Sequence, residues 1–330
     1  MKKLFFLLLM LSSTIYGQIK SSEFSEALQL LQGNNPEKAL SNLEILEKKF
    51  PTDAQVIFLR GFYHFRNGNQ NGAMMSFSNA IKANPKYAIA YGGRAQLFYT
   101  KGMLDKAISD ISEAVKLEPK NVDYLTTRAG FYNSNRQFAE GLEDMKTKIL
   151  LDPNNIMGYY DAAVFAKALD PNYDSDNFFN QAYANKGISK FLTDVLFGKF
   201  LMKNARFEEA KTKFEAALAI SENDFNDEDF NDVGIVYYKL KIYDKSISYF
   251  NKALAIMPSN VSVHLNLASV YMDLKDWQKV KEVAQGALDQ DSNNAMANMI
   301  MAIGLKYTGN ESLASEYENK SNQLAAEQNK

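Results

Sequence analysis

The sequence predicts an all-α fold, an α-solenoid of about nine stacked helix-turn-helix units. Three observations carry that expectation. Pro51, Pro85, Pro119 and Pro153 follow one another at intervals of 34 residues. When these prolines are set as position 32 of a unit, position 8 is small throughout: Ala27, Gly61, Ala95, Ala129, Ala163, Gly198, Gly234, Ala268 and Ala302. Within a unit, apolar residues recur at three- and four-residue steps, as in Ile108, Ile111, Ala114 and Val115, which marks an amphipathic helix.

Composition narrows the function. The 330 residues are 46% hydrophobic and 23% charged, which excludes wholesale disorder, collagen and a multi-span membrane protein. Lys+Arg 37 against Asp+Glu 39 gives a net charge of -2, so there is no global basic field for nucleic acid. With no cysteine and two histidines, disulfides, thiolate metal sites and Cys nucleophiles are impossible, and neither cofactor nor metal is expected. A chain this long ordinarily divides, because single cores rarely grow past ~250 to 300 residues. An array escapes that limit, and residues 18–330 are expected to form one solenoid with a possible bend at 170–187.

Taken in order, residues 1–17 come first. Lys2 and Lys3 precede the apolar run Leu4 to Leu11, and Ser12, Ser13, Thr14, Ile15, Tyr16 and Gly17 follow, the pattern of a secretory signal peptide. The run is too short to cross a bilayer, which takes about 20 helical residues, so no membrane span is expected in the mature chain. Removing 1–17 leaves 35 bases against 39 acids, or -4. Units follow at 20–53, 54–87, 88–121 and 122–155, then a degenerate one at 156–190, where Asp170-Pro171 interrupts and a displaced helix is expected near 174–184. Phase returns at 191–224, 227–260, 261–294 and 295–328, the last a weak, polar cap. Gly68 and Gly102 lie where the first helix of a unit should end, in the left-handed conformation. Pro at position 32 is expected to close the second helix, because it has no amide hydrogen.

Position 20 is mostly small (Ala39, Ala73, Ala107, Gly141, Ala210) and position 24 mostly large (Leu43, Phe77, Ile111, Met145, Phe214, Phe250). With Tyr237, Tyr243, Ala253 and Pro258 also in register, these residues resemble the tetratricopeptide repeat over nearly all of the mature chain. The resemblance implies a right-handed solenoid and an inner surface formed by positions 5, 9 and 12 of each first helix. It further implies a non-enzymatic scaffold or adaptor that binds a partner protein as a peptide or helix along the concave face. Together with the leader, this places the expected protein in the bacterial cell envelope, periplasmic or secreted. The family's Lys/Asn/Arg clamp for chaperone tails is not matched, because the inner positions include Phe58, Gly92, Thr126, Tyr160 and Val195.

Individual residues carry finer expectations. Phe58, Phe62 and Phe65 form a stripe beside Gln96 and Tyr99, either a shallow pocket for a partner's apolar side chain or ordinary core under the first unit. Arg94 should pair with Asp110 and Arg128 with Asp144 inside their units, while Arg60 faces Ser76 and is the most available to a ligand. His64 and His264 read as packing residues, and Trp277 as a wedge between helices. Asp170, Asn172, Asp174 and Asp176 alternate as in a calcium loop, but Ser175 stands where its Gly belongs and Gln181 where its final Glu belongs. The acids from Glu222 to Asp232 surround a helix start, where the dipole favours them. The rival function is a helical hydrolase that acts on envelope glycans through two carboxylates, housed at 170–187 or near Asp227. No phosphate loop, Gly-x-Ser-x-Gly elbow or His-Glu-x-x-His is present. The leader reading predicts that mass spectrometry of the protein from its native cells finds a mature N-terminus at Gln18; an intact Met1 would refute it.

Overall fold

The computed structural model describes residues 21–33 and 35–328, so the leader expectation lies outside the described residues. The structure is an all-α solenoid of helical repeats, with eighteen helices among the described residues. Contacts divide the chain into two compact units, 1–185 and 186–330, with the division inside the stretch flagged as irregular.

The first unit contains five helix pairs: α1 (Ser21–Gln32) and α2 (Pro36–Lys49), α3 (Ala54–Arg66) and α4 (Gln70–Ala83), α5 (Ala88–Thr100) and α6 (Leu104–Leu117), α7 (Val122–Ser134) and α8 (Phe138–Leu151), α9 (Ile156–Leu169) and α10 (Asp176–Ala184). The second contains α11 (Lys190–Lys203) and α12 (Phe207–Ile220), α13 (Asp227–Lys239) and α14 (Tyr243–Ile256), α15 (Val261–Asp273) and α16 (Trp277–Gln290), α17 (Ala295–Tyr307) and α18 (Glu311–Gln328). Within each unit, helices pack chiefly on their neighbours in sequence, with weaker contact between successive first helices such as α11 and α13. Among the described residues no helix is long and apolar enough to cross a membrane.

Local chemistry sets the boundaries. Asp53, Asn121, Asn155, Asn260 and Asn294 each cap a first helix by accepting a backbone N–H from its opening turn, as at Gln55 N to Asp53 Oδ1 (2.8 Å). Seven of the first helices among the described residues end at a left-handed residue, whereas α9 ends at Asp170 in extended backbone. Gly68, Gly102 and Gly309 supply the left-handed residue without strain because they lack a Cβ, but Arg136, Ala205, Lys241 and Lys275 adopt φ of 57–59° at the same register. The next amide then closes the turn, as at Arg206 N to Leu201 O (2.9 Å). Prolines 51, 85, 119, 153 and 258 each sit two residues past a second helix, yet α12 and α16 stop at the same register with Glu222 and Ser292 there. Proline therefore marks the end without being required to make it.

The core is a size-matched seam. A Cβ added at Gly234 would lie 2.6 Å from the Phe250 ring, at Gly61 2.6 Å from Phe77, and at Gly198 2.9 Å from Phe214. Four units with Ala at position 8 carry a slimmer residue at 24: Ala27 with Leu43, Ala95 with Ile111, Ala129 with Met145 and Ala268 with Ala284. Gly141 makes room for Phe165 of the next pair in the same way. In the irregular pair, nine-residue α10 buries Phe178, Phe179 and Ala182. Asn185 Nδ2 then donates to Pro153 O at 2.6 Å.

Three outcomes are expected for stability. Gly234→Ala should cost about 1–3 kcal/mol by overpacking against Phe250. Gly234→Ala with Phe250→Ile, which recreates the Ala95–Ile111 pair, should recover most of that loss in urea titrations. Ala205→Gly should raise stability by about 1 kcal/mol, because only glycine adopts that backbone region without strain.

Candidate functional site

The structure separates the residues singled out from sequence. Phe58 and Phe62 are buried, at 0% and 3% exposure, in one cluster with Leu59, Phe77 and Tyr87. The Phe58 ring lies 5.3 Å from Phe77 and meets Tyr87 edge-on at 5.8 Å. This corrects the pocket reading for these two: packing against α4 and the start of α5 uses their rings as core. Phe65 is half-buried and packs on the same cluster. Gln96 is half-buried, with its Oε1 enclosed and without a hydrogen-bond donor.

Tyr99 is the exposed member, at 37%. Its ring stacks on Phe131 of α7 at 4.7 Å, and its hydroxyl lies 3.1 Å from Ser134 Oγ. Ser134 Oγ in turn donates to Gly130 O at 3.1 Å. Gly130 is exposed in mid-helix, and a Cβ there would meet nothing within 4 Å. At the glycines of the size-matched seam, by contrast, an added Cβ would strike a phenylalanine ring. Val164, at the same repeat position on α9, is 38% exposed, and Met157 on that helix is 43% exposed. The accessible surface thus lies on α5, α7 and α9, displaced from the Phe stripe. Sequence reasoning missed Gly130 and Val164; the available signal was a glycine one residue past the small position, where the seam needs none.

The partly buried arginines at position 7 are committed to pairs. Arg94 donates to Asp110 from Nε (2.6 Å) and Nη2 (2.8 Å), and Arg128 to Asp144 from Nε (2.9 Å) and Nη2 (2.6 Å). Arg60 does not face Ser76. Its fork closes on Glu47 of α2, with Nε to Oε1 at 2.6 Å, because buried, uncharged Ser76 offers no carboxylate; Arg60 is therefore not the available cation expected. In the second unit Lys199 Nζ reaches Asp229 Oδ1 at 2.6 Å and Asp232 Oδ2 at 3.6 Å. Burial pushes the Asp144, Asp161 and Asp232 carboxyls up, opposed in turn by Arg128, Lys148 and Lys199.

The acidic clusters serve local structure. Asp170 Oδ1 accepts from Asn172 N at 2.8 Å. Asn226 and Asp229 form a capping box at the start of α13, and Asp227 accepts from Asn260 Nδ2 at 2.8 Å. Among the described residues no three His, Asp or Glu side chains gather to hold a metal.

Residues 76–122 and 239–303 match tetratricopeptide repeat family models. These matches support a tetratricopeptide repeat protein. A tetratricopeptide repeat protein from Parabacteroides merdae ATCC 43184 has a similar fold, at TM-score 0.51 and 14% identity, over 82% of this chain and 93% of that one. The crystal structure of the APC/C hetero-tetramer Cut9-Hcn1 aligns at TM-score 0.47 and 17% identity, over 87% of this chain and 57% of that one. Among curated proteins nothing matches. In the tetratricopeptide register, Gln96, Gly130 and Val164 all fall at position 9 and Tyr99 at position 12, the positions expected to meet a partner.

Proposed function

We propose that the protein is a non-enzymatic scaffold or adaptor of the bacterial cell envelope, exported by the leader at residues 1–17. It holds a peptide or helix of a partner protein against the exposed faces of α5, α7 and α9. The repeats and their structural likeness suggest a protein–protein interaction scaffold. Gly130 carries the assignment to this surface. An interior helix glycine costs about 0.5–1 kcal/mol relative to alanine. Nothing in the packing requires it here, whereas a closely approaching partner backbone or ring does. The exposed tyrosine beside it supplies the rigid aromatic wall that such contacts favour. The acids at 170–176 and 222–232 that could have served a hydrolase are largely taken up by caps and ion pairs. The leader pattern supports a periplasmic or secreted location.

Two variants test this reading. Gly130→Ala should raise the free energy of unfolding by about 0.5–1 kcal/mol, since it only removes backbone freedom from the unfolded chain. In affinity capture from the native cells, a protein enriched by the unaltered chain should be recovered several-fold less with Gly130→Leu, whose urea midpoint should not fall. Equal recovery would remove Gly130 from the interface. Absence of any enriched protein together with hydrolysis of envelope glycans would overturn the scaffold reading.

A further inference from the structure

We propose that the partner segment held on α5, α7 and α9 carries a lysine or arginine, whose head group meets Asp123 and Asp161 while its methylene stem lies on exposed Met157. That recognition rests on the surface proposed above and adds the chemistry of its occupant.

A buried lysine marks the place. Lys148 of α8 is 6% exposed and stands at position 27 of its repeat. The other regular repeats have alanine there at 80, 114, 217, 253 and 287, leucine at 46 and serine at 321. Packing at this register therefore takes a small or apolar residue, and an ammonium brought there has to be held by acids. Its Nζ lies 3.6 Å from Asp161 Oδ2 on α9, and the same charge pulls on the Asp123 carboxyl of α7. One internal cation thus serves two acids.

Asp123 is the acid left over. It is half-buried, and its carboxylate makes no hydrogen bond or ion pair among the described residues. Burial pushes this carboxyl up, with Lys148 opposing from a distance. A first-turn acid complements the helix dipole, but the register does not require one. It is apolar at Ile89, Met157, Leu192 and Met296, and acidic elsewhere only at exposed Glu228. Asp123 and Gly130 lie on one face of α7, two turns or about 10.5 Å apart. Met157, Asp161 and Val164 share a face of α9 by the same three- and four-residue steps. A half-buried carboxylate beside an exposed methionine suits a long side chain that lays its stem on apolar surface and ends in a cation. A neutral side chain would leave Asp123 unanswered, and an acidic one would be repelled.

The probe is a phage-displayed library of random peptides selected on the full chain. Enriched peptides should carry a lysine or arginine within about three residues of an apolar one, the separation that spans two helical turns in an extended or polyproline segment. One such peptide, made synthetically, is then titrated with the protein by fluorescence anisotropy. Exchanging its basic residue for glutamine, or using Asp123→Asn, should each weaken binding about tenfold, as loss of a charge-assisted contact implies, and the two together no further. Asp123→Asn should keep the melting temperature, since uncharged Gln55 and Ser262 stand at the same register. Lys148→Ala restores the alanine of the register and leaves both acids to the partner, so it should tighten the basic peptide several-fold and not the glutamine one. Peptides that bind Gly130→Leu several-fold less yet show no basic preference, or basic peptides undiminished by Asp123→Asn, would overturn this recognition and leave the surface standing. Peptides indifferent to both Gly130→Leu and Asp123→Asn, or a library that enriches nothing, would overturn both.

Discussion

In the regular repeats, positions 8 and 24 share one small volume, and the helix pair closes when their sizes are complementary. Gly61, Gly198 and Gly234 leave room for a phenylalanine ring, while Ala27, Ala95 and Ala129 face leucine, isoleucine and methionine. Interiors packed at crystalline density transmit a misfit of one methyl group to their neighbours. In a solenoid that neighbour is the next helix pair, because each repeat contacts little beyond the adjacent ones. Gly141 and Phe165 carry the same bargain across the boundary between two pairs.

With the seam fixed, other residues are relieved of structural duty. Turns tolerate a strained non-glycine in four repeats, and the second helices α12 and α16 end on schedule without proline. Each such strain is of order 1 kcal/mol, small beside the burial of a phenylalanine at about 1.5–3 kcal/mol, so packing dictates the local backbone. The forks at Arg60, Arg94 and Arg128 are likewise structural. Each is partly buried, and a buried cation left unpaired costs more than its pair contributes.

The repeat supplies its own controls for reading function. Where a residue departs from what its register needs, packing has been ruled out as its cause. Gly130 stands on open helix surface, so it asks for an explanation beyond the fold. The Phe58 stripe shows the opposite case. Its sequence fitted either a pocket or core, and the Phe58 and Phe62 rings are core because α4 and the start of α5 pack against them.

The 34-residue period and the small and large positions pointed to an all-α array of helical repeats, because each helix pair is built from contacts close in sequence. The Arg94–Asp110 and Arg128–Asp144 pairings could be expected for the same reason: both partners lie in one repeat. Exposure could not be read this way. Whether Phe62 or Tyr99 meets solvent depends on side chains of the flanking repeats, and Arg60 found Glu47 in the preceding helix pair, not Ser76 in its own. Sequence alone determined the repeat, its registers and the all-α fold, since these follow from local periodicity and residue size. Tertiary structure decided which apolar and charged groups remain available, because availability is what neighbouring repeats leave uncovered.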